Sequence, residues 1–417
     1  MRRRVIAAAV LALAGLAGIV PAGADIAQPT VVSTNPVDWT PHVLDGTVWA
    51  IEVVGDTVVV GGDFTTVTDS TGRTRYQRRN LFAYGLRDGR VRPWAPRVDN
   101  AVYALAAGAG NTVYAGGFFK TVNGTAQRGL TRLSLTTGGR VATFRASANW
   151  GDVRAIAVHG SRLYAGGTFT AVNGVARTAL VRLNASTGAV DTGFNPRLAA
   201  PGLRRARVED FSLSPDGRRL VIVGAILQAG GVGRGHIAMF DTSGPRAAVL
   251  NWYTDVYRPK CLNSFDTYVR GVDFSPSGTY FVVTTTGRAA SPRLMCDSAA
   301  RFEVAGRGRH NPTWVNRTGG DSLYAVAVTG SAVYVGGHQR WMNNPYGRES
   351  AGPGAVSRPG IAALDPRTGR ALSWNPTKDR GVGTRAIVAT TTGLLIGSDT
   401  TRLAREYHGR IGMFPIR

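Results

Sequence analysis

Two cysteines, Cys261 and Cys296, are the only ones in 417 residues. In a chain that opens with an export leader, an even count predicts a disulfide. A metal site would need further Cys or nearby His, and neither stands beside them, so no metal and no cofactor is predicted. The six histidines (His42, His159, His236, His310, His338, His408) follow no ligand spacing. Arg204, Arg205 and Arg207 lie together in one long connection and are candidate ligand residues. Trp341 and Tyr346, in another, could stack on a sugar ring or anchor their own loop. Arg also recurs just before a strand, at Arg79, Arg128, Arg177, Arg234 and Arg358. One per repeat could form a cationic ring; the competing reading, favoured by the repetition, bonds each Arg to carbonyls of a neighbouring repeat.

Two catalytic look-alikes fail on context. Gly320-Asp321-Ser322-Leu323 spells the nucleophile block of GDSL esterases, but that chemistry needs a strand-to-helix turn and a downstream Asp-x-x-His, and none follows. Gly230-Gly231-Val232-Gly233-Arg234-Gly235 has no helix after it to bind phosphate. No catalytic residue is assigned.

The net charge is +23, almost all of it Arg. Residues 1–24 read as a signal peptide: Arg2-Arg3-Arg4, the apolar run Val5–Val20, then Ala22-Gly23-Ala24 as a cleavage site. Removing this leader, with its three Arg and no acid, leaves +20. The sequence leaves Sec and twin-arginine export both open. Later stretches are too short to span a membrane as a helix. The expectation is a secreted, monomeric bacterial protein. Its basic surface points to an anionic cell-wall polymer, a polysaccharide or another surface protein ahead of nucleic acid. A GC-rich genome with evenly spread Arg would give the same composition.

The elements that must position these residues are short strands. Val153–Pro196 holds four apolar runs punctuated by His159-Gly160, Gly166-Gly167, Asn173-Gly174 and Thr187-Gly188, which predicts four strands joined by turns. The unit recurs. Its first strand opens at Val48-Trp49-Ala50-Ile51, Val102-Tyr103-Ala104-Leu105, Val153-Arg154-Ala155-Ile156, Val208-Glu209-Asp210-Phe211, Val269-Arg270-Gly271-Val272, Leu323-Tyr324-Ala325-Val326 and Thr384-Arg385-Ala386-Ile387. An outer aromatic recurs at Trp39, Trp94, Phe144, Phe194, Trp252, Trp314 and Trp374. Both series count seven. The prediction is an all-β, seven-bladed β-propeller of four-stranded blades over residues 25–417, with the N-terminal segment supplying the last blade's outer strand.

Gly61-Gly62-Asp63-Phe64-Thr65, Gly116-Gly117-Phe118-Phe119 and Gly166-Gly167-Thr168-Phe169-Thr170 resemble the core of the delta-sixty β-propeller repeat. Phe211-Ser212-Leu213-Ser214-Pro215-Asp216-Gly217 and Phe274-Ser275-Pro276-Ser277-Gly278 look more like the turns of WD40 and TolB-type propellers. The resemblance implies an exported propeller and hands over no catalytic residue. Long connections at Arg197–Arg207, Tyr253–Tyr268, Gly287–Asp297, Met342–Arg358 and Thr377–Gly383 should emerge on one face, where binding commonly resides. The functional expectation is a binding module. The alternative is a propeller enzyme, a polysaccharide-active hydrolase or lyase or a quinone-dependent oxidoreductase, with its site at the central channel. Acids and His around the axis would favour the enzyme, and an apolar channel beside a basic, aromatic face would favour binding.

Overall fold

The computed structural model describes residues 26–288 and 291–416. The predicted leader, residues 1–24, and its predicted cleavage site lie outside them. Among the described residues there are strands and no helix, and the architecture is that of a β-propeller. No helix of the described residues is long and apolar enough to cross a membrane.

Beside a small sheet of His42–Val43, Thr66–Thr68 and Arg75–Gln77, seven antiparallel sheets of three or four strands follow one another along the described chain. Their first strands are Val48–Val54, Val102–Gly108, Val153–His159, Arg207–Leu213, Val269–Phe274, Leu323–Val328 and Ala386–Ala389. Each packs beside the first strand of the next sheet, and Val48–Val54 also packs beside Ala386–Ala389. The core lies between sheets. Tyr164 of the third sheet is buried with Val208, Leu220 and Ile222 of the fourth, and Val48 and Val58 of the first with Leu395 and Met413 of the last. Such face-to-face burial suits sheets that are apolar on both sides.

Local chemistry explains the close approach of neighbours. A Cβ on Gly166 would stand 2.7 Å from Val208 Cγ1, on the first strand of the next sheet, and one on Gly167 would stand 2.0 Å from Asp152 O. The first glycine of the pair admits the neighbouring sheet and the second admits its own inner strand. Gly61–Val102, Gly116–Val153, Gly336–Thr384 and Gly397–Val48 repeat the first contact. Asn173-Gly174 turns a small hairpin with φ of 50° and 77°, as an Asn-Gly two-residue turn requires.

The outer strand is shorter than the sequence predicts. Two sheets have four strands, while elsewhere the fourth run is a single bridge: Tyr84 to Val91, Leu133 to Arg140, Leu183 to Val190 and Leu364 to Ala371. The outer aromatic reaches a neighbouring sheet from three-stranded and four-stranded sheets alike. Trp94 Nε1 donates to Ser134 O at 2.8 Å, Trp314 Nε1 to Pro366 O at 2.9 Å and Trp252 Nε1 to Glu303 O at 3.0 Å. Trp39 makes the equivalent bond to Leu86 O at 3.3 Å and is 40% exposed. Its segment runs beside the last sheet, with Ser33 N bonded to Pro415 O (2.8 Å) and Val37 N to Met413 O (2.9 Å). His42–Val43 then pairs with Thr66–Thr68 of the first sheet's connection.

Candidate functional site

The first strands share a defect at one place. In six of them the ladder slips at the second position of the opening tetrapeptide: Trp49, Tyr103, Arg154, Glu209, Arg270 and Tyr324. A bulged residue is released from the ladder and its side chain re-aimed. These six, with Arg385 just before the seventh strand, line one end of an axial cavity of about 580 Å³. The tetrapeptides were legible as a repeat count, but the alternation that sends their second residue to the axis was the signal for a site.

Around this mouth the side chains touch in sequence. Trp49 and Tyr103 meet edge-to-face at 5.5 Å. Arg154 lies 6.0 Å from the Tyr103 ring centre and pairs with Glu209 (2.7 Å) and Asp152 (2.9 Å). Arg207 and Arg270 reach the same Glu209 at 2.6 and 3.5 Å. Burial pushes the Glu209 carboxyl up, but Arg154, Arg270 and Arg207 outweigh it and hold it below the usual carboxylate range. Arg385 lies over Tyr324 and Trp49, at 3.8 and 4.9 Å from the ring centres.

Beside the mouth is a second cavity of about 580 Å³, sharing Arg154 and Arg207 with it. Six cationic residues line it (Lys120, Arg128, Arg154, Arg204, Arg205, Arg207) against two acids, Asp152 and Asp266. Phe118 and Trp150 are exposed at its edge, 45% and 39%. Arg205 stacks 5.0 Å from the Trp150 ring, and Arg204 pairs with Asp266 at 3.0 Å. The three candidate arginines therefore share one cavity but differ in state: Arg204 and Arg205 are exposed, and Arg207 is engaged by Glu209.

Trp341 and Tyr346 line neither cavity. Arg340 stacks 4.4 Å from the Trp341 ring and pairs with Asp321, while Tyr346 is 69% exposed. The recurring Arg before the third strand also differs from its predicted role. The repeated position is Arg78, Gln127, Arg177, Arg234 and Arg358, one residue before Arg79 and Arg128, and it serves its own sheet. Arg177 Nε donates to Phe194 O (3.1 Å), Arg234 to Leu250 O (2.8 Å) and Gln127 to Ala146 O (2.5 Å). Bonds to the next sheet come instead from strand residues, such as Arg182 to Gly244 O (3.1 Å) and Arg301 to Pro366 O (2.7 Å).

Cys261 and Cys296 are joined by a disulfide, Cα atoms 5.7 Å apart. Gly287 passes so close that a Cβ would stand 2.7 Å from Cys261 Cβ. The long connections touch in succession: Arg204 to Asp266, Cys261 to Cys296, and Arg288 to Glu349 at 2.7 Å. Ser322 is buried and its hydroxyl meets Thr286 and, at 3.5 Å, Asp297; His338 Nε2 faces its backbone amide instead.

The opposite end of the axis has another chemistry. Glu52, Asp210 and Asp273 line a cavity of about 590 Å³ there. Their oxygens accept backbone N–H groups: Val53 N to Glu52 (3.1 Å), Val272 N to Asp210 (3.0 Å) and Val328 N to Asp273 (2.8 Å). Poor solvation pushes Glu52 and Asp210 up to about 7. No histidine lines either axial cavity, and no group of three or more His, Cys, Asp or Glu able to hold a metal lies among the described residues. The axis is neither the acid-and-histidine cluster nor the apolar channel weighed from sequence.

A family model described as "Domain of unknown function (DUF5122) beta-propeller" matches residues 161–194. Among solved structures, the WD40 repeats of RRP9 align with 12% identity and a TM-score of 0.54, covering 92% of this chain and 99% of that one. Hydrazine synthase of Kuenenia stuttgartiensis aligns with 12% identity and a TM-score of 0.52, covering 85% and 93%. No curated protein sequence matches. At these identities the likeness concerns the fold.

Proposed function

We propose that the chain is an exported, seven-bladed delta-sixty-type propeller that binds an anionic polysaccharide or cell-wall polymer on the face bearing its long connections. The successive first strands, the glycine contact from Gly397 to Val48 and the bonds of Ser33 and Val37 to the last sheet support seven blades closed by the N-terminal segment. The observation that carries the binding reading is the cavity of Lys120, Arg128, Arg204 and Arg205 with Phe118 and Trp150 exposed beside it. Guanidinium groups recognise carboxylate and sulfate, and exposed aromatic faces suit sugar rings. A propeller is also a common interaction scaffold, so a surface protein rich in acidic groups is a partner of the same chemistry.

The test is binding to immobilised polygalacturonate and to wall teichoic polymer at two salt concentrations. Affinity should fall steeply with salt, as cations on the protein displace counterions from a polyanion. Arg204→Ser with Arg205→Ser should weaken binding and flatten that dependence. Arg207 is left in place because it neutralises Glu209. Arg218→Ser with Arg370→Ser, both exposed in turns remote from the cavity, should do much less. Equal losses from the two pairs would leave only a diffuse basic surface.

A further inference from the structure

At the axial mouth the cations are not equivalent. Arg154, Arg207 and Arg270 converge on Glu209 and are neutralised at contact. Arg385 is held over the rings of Tyr324 and Trp49, with its Nε buried and a hydrogen bond to Tyr324, yet among the described residues no carboxylate forms a salt bridge with it. Asp399 favours the Arg385 charge without a salt bridge to it, while its own oxygens accept from Val382 N (2.7 Å) and Gly383 N (3.0 Å). One oriented guanidinium without a salt bridge therefore lines the cavity together with Trp49, Tyr103 and Tyr324.

We propose that this mouth is a second binding site, distinct from the outer basic cavity, that takes a carboxylate carried on a ring-bearing body. Arg385 supplies the planar fork that a carboxylate matches with two parallel bonds. Trp49, Tyr103 and Tyr324 supply flat walls for the ring. A volume of about 580 Å³ suits a compact ligand. A single spare positive charge favours a monoanion, because a more highly charged group would meet Glu209 beside it. Glu52, Asp210 and Asp273 at the far end oppose passage, so the ligand enters from the face of long connections and stops at the mouth. A free ring acid and the terminal residue of an acidic polymer offer the same chemistry.

Calorimetric titration of the exported protein with benzoate and with glucuronate tests the site, with glucose and inorganic phosphate as controls and oligogalacturonate as the polymer end. Both carboxylates should bind, and both controls more weakly. Arg385→Lys keeps the charge and removes the fork; it should lower affinity for both acids roughly tenfold or more. Trp49→Phe, which shortens one wall, should weaken binding with the fold intact, and it decides the matter if Arg385→Lys melts early. Arg204→Ser with Arg205→Ser should leave the small acids unaffected. If that pair weakens only oligogalacturonate, the polymer end uses both sites; if it does not, the occupant of the mouth is a free acid. No binding of either carboxylate, or affinity unchanged from the unaltered protein in both Arg385→Lys and Trp49→Phe, overturns the proposal. Polymer binding without small-acid binding would leave the outer cavity standing alone, and the converse result would leave the axial mouth alone.

Discussion

The two ends of the axis are built by the same strands and put their charges to opposite uses. At one end Trp49, Tyr103, Arg154, Glu209, Arg270, Tyr324 and Arg385 line one cavity and contact one another. At the other, Glu52, Asp210 and Asp273 accept backbone amides, two of them from the neighbouring sheet. A carboxylate that caps an amide belongs to the scaffold; a guanidinium with no salt bridge is available to a ligand. The difference lies in what each group touches, since both ends are rich in ionisable residues.

The largest way to break this contrast is to remove the one acid at the cationic mouth. Glu209→Gln leaves Arg154, Arg207 and Arg270 facing one another in a site where the Glu209 side chain is only 9% exposed. Stripping the partner from a buried ion cluster costs about 3–5 kcal/mol, which urea denaturation would register. A loss under about 1 kcal/mol would mean that water screens the cluster and that the mouth is more open than its contacts suggest.

A smaller effect separates the ends in space. Replacing both Cys261 and Cys296 with Ser opens a link of 35 residues, worth about 4 kcal/mol at most in the chain-entropy model. Hydrogen exchange should quicken in the connections around Arg204 and Asp266 and stay unchanged in the strands carrying Glu52 and Asp273. Uniform quickening would show that the disulfide steadies the whole ring instead of one face.

The smallest effect is the pH dependence, and it has opposite sign at the two ends. For Asp210, burial is the main cause and the nearby Asp273 and Glu209 add to it, while the Val272 and Phe211 amides oppose it; the result is about 7. A carboxyl whose folded pKa exceeds its unfolded value binds more protons when folded, so its contribution to stability shrinks as pH rises from about 4 to about 7. Glu209, held low by arginine, contributes stability above about 4 that is lost as pH falls further. Asp210→Asn should flatten the fall in urea midpoint between those pH values. An unchanged slope would place the titration elsewhere.

Much of this was legible in the sequence, and the failures are instructive. The strand-opening tetrapeptides mark the first strands, and the cysteine pair follows from parity and compartment. The paired glycines were read as punctuation, whereas Gly166 and Gly167 are places where backbone and neighbour would collide with a Cβ. That requirement comes from the next repeat and is invisible within one. Trp39 was counted in one series with Trp94, yet it is 40% exposed and Trp94 6%. The Arg register slipped by one because Arg79 and Arg128 follow the bonded position directly. The axial mouth escaped because its residue types, Trp, Tyr, Arg and Glu, share no chemistry; only their place in the strand unites them.

That same place gives the mouth an unusual freedom. A bulged residue contributes no ladder bond and projects away from the apolar layers between sheets. The repeat can therefore accept an indole, a phenol, a guanidinium or a carboxylate there without repacking a blade, and across its seven copies this chain already holds all four. Chemistry at the axis is thereby uncoupled from the apolar packing between sheets. A change of ligand would need new letters at seven addresses, on an otherwise untouched frame.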